Sequence, residues 1–163
     1  MSTIAADPSL LGVYLNDHLA GASGGLELFR RAAGSSAGTP AGEVLKALTV
    51  EVAEDREALL SILDRLAFPV RHDKVVGGWL AEKATRAKPN GRLLSRSALD
   101  PVIELEALHL GVLGKGSAWR LLRALDDPRV PAAELDRLID RAERQAAQIE
   151  ELRIAAARQG LSR

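Results

Sequence analysis

Apolar residues recur every three to four positions through most of the chain, the period of a helix that buries one face, and four such stretches stand out. The first carries Leu11, Leu15, Ala22, Leu26 and Phe29 and is entered by Asp7-Pro8, an N-cap acceptor followed by a residue suited to the first helical position. The second, entered by Thr39-Pro40, carries Val44/Leu45, Leu48, Val52, Leu59, Ile62/Leu63 and Leu66. The third opens near Ser97 or at Pro101 and carries Leu99, Val102, Ile103, Leu110 and Leu113. The fourth follows the break at Asp126-Asp127-Pro128 and Pro131, and carries Leu135, Leu138/Ile139, Ala142, Ile149, Leu152 and Ala156. The spacing predicts helices over about 8–33, 40–66, 98–124 and 132–158, with a shorter helix over about 75–87 between the second and third. The expected core is Leu11, Leu15, Leu26, Phe29, Leu48, Val52, Leu59, Ile62, Ile103, Leu113, Leu138, Ile149 and Leu152. No stretch alternates with the period of a strand.

Polar residues interrupt these faces at mid-helix. His18, Asp55 and Gln145 each occupy an apolar slot, and Glu106 and His109 fall on or beside the face of the third helix. Tyr14 stands one turn before His18. A buried carboxylate without a partner costs several kcal/mol, against about 5–15 kcal/mol for the whole fold. His18, Asp55, Glu106 and His109 are therefore expected to meet in one connected cluster. Two readings follow. In one, the cluster is a hydrogen-bonded polar layer completed by Gln145. In the other, the two imidazoles and two carboxylates hold Fe, Mn or Zn. The run Ala20–Gly25 is unusually small, which predicts tight packing against a neighbouring helix, the alternative being the close approach of a ligand.

Short loops join the first two and the last two helices, whereas the middle connection is long enough to carry the chain back along a bundle. This layout resembles the ferritin-like bundle with its single long crossover. The run from Glu104 to Lys115, followed by Trp119, is also similar to members of that superfamily. The resemblance implies one all-α domain over residues 1–163, a ferritin-like antiparallel four-helix bundle with one helix-containing crossover between helices two and three. It also implies a metal-ligand pattern of single Glu residues on two helices and Glu-x-x-His on the other two. Glu106-x-x-His109 matches that pattern once. Helix one offers His18 beside Asn16 and Asp17, helix two offers Asp55 and Glu51 with no following His, and helix four offers the neutral Gln145 and Gln148. With the ligand set so depleted, the expectation is a non-catalytic bundle without cofactor, serving as a structural or protein-interaction module. The alternative is a metal-binding or oxidoreductase-like protein using His18, Asp55, Glu106 and His109.

Composition narrows the partners. The 163 residues contain no cysteine, which excludes disulfides, thiolate metal sites and cysteine nucleophiles. Lys plus Arg and Asp plus Glu number 22 each, so bulk charge favours neither nucleic acid nor an anionic membrane. No apolar run approaches the roughly 18 residues of a membrane span, and Met1–Pro8 lacks the regions of a signal peptide. A cytoplasmic protein is expected. Between Arg71 and Arg96, seven Lys or Arg stand against only Asp73 and Glu82, which marks the crossover as a candidate anion-binding stretch. Gly111–Ser117 lacks the Gly-Lys-Ser/Thr of a phosphate loop and sits within a helical pattern. Leu28, Leu60, Leu121 and Leu122 form a second apolar stripe, on which a homodimer is expected.

Overall fold

Thr39 starts the second helix as its neighbours dictate. Its Oγ1 accepts the Gly42 N–H at 3.1 Å and donates to the Ser36 carbonyl at 2.7 Å, while Pro40 takes a first-turn position where its missing N–H costs nothing. Gly42 is obligatory there, because a Cβ would stand 2.1 Å from the Ser36 carbonyl oxygen. The computed structural model describes residues 8–71 and 97–162, and within them four helices and no strand. They are α1 (Pro8–Ser35), α2 (Pro40–Arg65), α3 (Asp100–Leu125) and α4 (Ala132–Leu161). The expected crossover helix over 75–87, His72, Trp79 and the basic stretch after Arg71 lie outside the described residues.

The ends of α2 and α3 have identifiable stops. Phe68 N–H bonds to the Leu63 carbonyl and Ala67 N–H to that of Asp64, both at 2.9 Å, with Ala67 in the left-handed region at φ 58°. This is a Schellman termination, built here on alanine rather than glycine. Asp126 closes α3 in the same region at φ 51°. Asp127 then binds the Arg129 guanidinium and backbone N–H, which holds its carboxyl down to about 2. Arg129 also reaches the Leu66 carbonyl at 3.3 Å.

Cross-helix contacts run in reverse order within three of the helix pairs. Between α1 and α2, Gly12 meets Phe68, Ser23 meets Arg56 and Ser36 meets Gly42. Between α2 and α4, Glu51 meets Gln145, Glu54 meets Arg141 and Arg65 meets Glu134. Between α3 and α4, Glu106 meets Arg153 and Arg123 meets Asp136. The tightest pairs are α3 with α4 and α1 with α2; α1 also packs on α3, and α2 on α4. Asn16, buried on α1, donates to the Pro69 carbonyl at 3.1 Å and accepts the Arg71 N–H at 2.6 Å, which ties the chain leaving α2 back onto α1.

One core joins all four helices, with Leu15, Phe29, Leu48, Ile62, Leu108, Trp119, Leu135 and Ile149 among its members. The expected core residues of α1, α2 and α4 are buried, except that Leu11 and Leu152 are half-buried at its edge, and those of α3 are not. Ile103 is 37% exposed and Leu113 45%, and Leu99 and Leu110 lie on that same outward stripe. The buried face of α3 is instead Val102, Leu105, Leu108, Val112, Trp119 and Leu122. The physical reason is that α3 carries apolar residues around most of its circumference, so periodicity fits two stripes, and the bundle buries the one holding Trp119. Of the second stripe expected from sequence, Leu121 is exposed, Leu28 and Leu60 are half-buried, and Leu122 belongs to the core. No described helix is long and apolar enough to cross a membrane.

Candidate ligand-binding site

Two features meet at the middle of the bundle: a charged cluster between α2, α3 and α4, and a cavity between α1 and α3. Asp55 anchors the cluster. It follows Val52 by three and precedes Leu59 by four, so helical geometry carries its carboxylate inward, where the residue is 2% exposed. Lys115 of α3 donates to its Oδ2, and Arg141 of α4 sets Nη2 against its Oδ1 as an ion pair. Gln145, fully buried, donates from Nε2 to Asp55 Oδ2 at 3.1 Å and to Glu51 Oε2 at 2.9 Å, and accepts from Lys115 Nζ at 2.5 Å. Arg141 reaches on to Glu54 at 2.9 Å. Burial holds the Lys115 amine below its ordinary range, a shift that Arg141 reinforces and Asp55 and Glu51 oppose.

Lys115 also forms part of the cavity wall. The cavity encloses about 390 Å³, within the range of small-molecule sites. Phe29, Leu59, Leu108, Val112 and Trp119 line its depth, and Asp55 and Lys115 contribute a polar border. Asp17, Leu110 and Gly111, all exposed, lie on its wall, so it opens along the α1–α3 seam. Its width comes from missing side chains. At Gly25, Gly111 and Gly114 nothing stands within 4 Å of where a Cβ would sit. Of the small run on α1, Ser23 accepts from Arg56 of α2 at 3.1 Å, whereas Gly24 and Gly25 face open space, so close packing on a neighbour does not account for these two glycines. Tyr14 and His18 line the cavity with ring centroids 4.6 Å apart in an edge-on arrangement. Burial lowers the His18 imidazole, Asp17 opposing it, and raises the Tyr14 phenol. Trp119 is 1% exposed, and its Nε1–H has no hydrogen-bond partner among the described residues.

The four residues singled out by sequence do not converge. Asp55 lies in the charged cluster and His18 on the cavity wall. Glu106 is exposed and faces Arg153 at 3.8 Å, while His109 lies 3.7 Å from Glu150. Both point away from Asp55 because they belong to the flank of α3 turned to α4, a consequence of which stripe of α3 is buried. Among the described residues no group of three or more His, Asp or Glu could hold a metal ion. Asp55 itself is met by two cations, which oppose a third positive charge beside it. Lys115 and Arg141 escaped the sequence reading. Lys115 lies three residues after Val112 and four before Trp119, a lone charge on the buried stripe, and Arg141 stands between Leu138 and Gln145 on the face of α4. Each is legible once the right stripe is chosen. Comparison with family models, with curated proteins and with solved structures found no match.

Proposed function

We propose that this chain is a non-catalytic helical bundle that binds a small, largely apolar molecule between α1 and α3. One observation carries the reading: Gly25, Gly111 and Gly114 leave an opening where three side chains would fit. Each glycine within a helix costs about 1 kcal/mol relative to alanine, and here the cost is not offset by close helix packing. The charged cluster beside the cavity serves as structure. Both Asp55 oxygens face cations and Gln145 uses both ends of its amide, so the polar groups of the cluster are committed to one another.

The helix order we propose is that of a ferritin-like bundle. The reverse order of contacts supports antiparallel pairing of α1 with α2, α2 with α4 and α3 with α4, which makes α2 and α3 parallel. Parallel neighbours in sequence need one connection that travels the bundle's length; the residues that join α2 to α3 after Arg71 lie outside the described ones.

A neutral apolar fluorophore such as N-phenyl-naphthylamine tests the cavity. It is expected to bind saturably, one per chain. Gly114→Leu, which places a side chain in the open space, is expected to weaken binding at least about tenfold while helix content is kept. Unchanged affinity in that variant, or no saturable binding by the parent, overturns the reading.

A further inference from the structure

The cavity wall is apolar but not indifferent, and its few polar groups define what can enter. Lys115 has three N–H groups; Asp55 and Gln145 take two. Trp119, four residues on and hence on the same face of α3, carries its indole N–H buried and unpaired among the described residues. A buried donor left without an acceptor is costly, so the wall is complete only when an acceptor is supplied. The depth of the cavity offers no place for a net charge: Phe29, Leu59, Leu108, Val112 and Trp119 line it, and Lys115 beside them already faces Asp55, so an ion seated there would be desolvated without a counter-charge of its own.

Resting on the cavity reading above, we propose that this site selects neutral molecules with an apolar body and a carbonyl oxygen, such as ketones, esters or amides, the oxygen accepting from Lys115 Nζ–H and Trp119 Nε1–H. The class is thus set by the donors, and the size by the glycine-lined space.

The test uses four compounds built on one six-membered ring: cyclohexanone, its hydrocarbon isostere methylenecyclohexane, cyclohexanecarboxylate and cyclohexylamine. Each is titrated into the full chain by calorimetry at neutral pH. Cyclohexanone is expected to bind, and the two ions not. Trp119→Phe keeps the aromatic wall and removes the donor. It is expected to weaken cyclohexanone by about fivefold to tenfold and leave methylenecyclohexane unchanged. In the parent protein, cyclohexanone is also expected to move the Trp119 indole N–H resonance, assigned with a Trp79→Phe variant, whereas methylenecyclohexane leaves it in place. That second readout stands even if Trp119→Phe fails to fold. Equal losses for ketone and isostere with no movement of the resonance, or tighter binding of either ion, overturn the selectivity and leave the cavity reading intact. Failure of all four compounds to bind, with the fluorophore also silent, removes both.

Discussion

Asp55 is held by cations from two different helices, so its removal leaves Lys115 and Arg141 buried together without a carboxylate between them. Breaking a buried pair from one side costs about 3–5 kcal/mol. Asp55→Ala is expected to lose that much in urea unfolding. Lys115→Met is expected to lose less, because Arg141 still faces Asp55. The double variant should fall short of the sum by about 0.5–3 kcal/mol, the range for side chains in contact. Independent, additive losses would mean that the cluster is screened by water. His18 makes a second prediction. Its imidazole is held below its ordinary value of 6.5 in the fold, so the unfolded chain takes up that proton first. Stability contributed by the neutral ring is whole above pH 6.5 and declines as pH falls below it, until the folded ring also protonates. Melting temperature followed from pH 7.5 to 5.5 should therefore fall more steeply in the parent than in His18→Leu; parallel curves would remove His18 from the interior. How much of this is legible in the sequence varies by residue. Asp55 and Gln145 interrupt well-formed faces, and their burial follows from spacing alone. Glu106 and His109 misled because α3 offers two apolar stripes, and that ambiguity also hid Lys115.

Helix boundaries show the opposite balance, since caps are local chemistry and their residues announce themselves. Thr39-Pro40 starts α2, where the Thr39 hydroxyl caps the helix, and Pro131 stands immediately before α4. The end of α2 is less predictable, because its Schellman turn places Ala67 where glycine is favoured. A left-handed conformation costs a residue with a Cβ about 1–2 kcal/mol. Ala67 is exposed, so its methyl group offers little packing in return. Ala67→Gly is therefore expected to stabilise the protein by about 1 kcal/mol, less the entropy that glycine adds to the unfolded chain. A lower denaturation midpoint for Ala67→Gly would count against the Schellman assignment. The cavity lies between these extremes. Its glycines are visible in sequence, but whether a small run signals close packing or open space depends on how far apart α1 and α3 settle, which no local pattern encodes.

At the scale of the molecule, the two tightest helix pairs are also the two pairs closest in sequence, α1 with α2 and α3 with α4. What joins α2 to α4 is largely charge: Glu51 and Asp55 to Gln145, Asp55 and Glu54 to Arg141, and Glu134 to a bidentate Arg65 at 2.8 Å. The protein is thus expected to divide into two halves that find each other again. Peptides covering residues 1–71 and 97–163, each with one helix pair, should recombine as a one-to-one complex that restores the parent's circular dichroism. Asp55 acts as the key that sets their alignment, since only one sliding position brings it between Lys115 and Arg141. Salt should weaken reassembly through the partly exposed pairs of that seam, and a half carrying Asp55→Ala should recombine poorly while remaining as helical on its own as the unaltered half. A bundle divided in this way reads less as a single folded rod than as a clasp, two helix pairs that recognise each other by a buried charge.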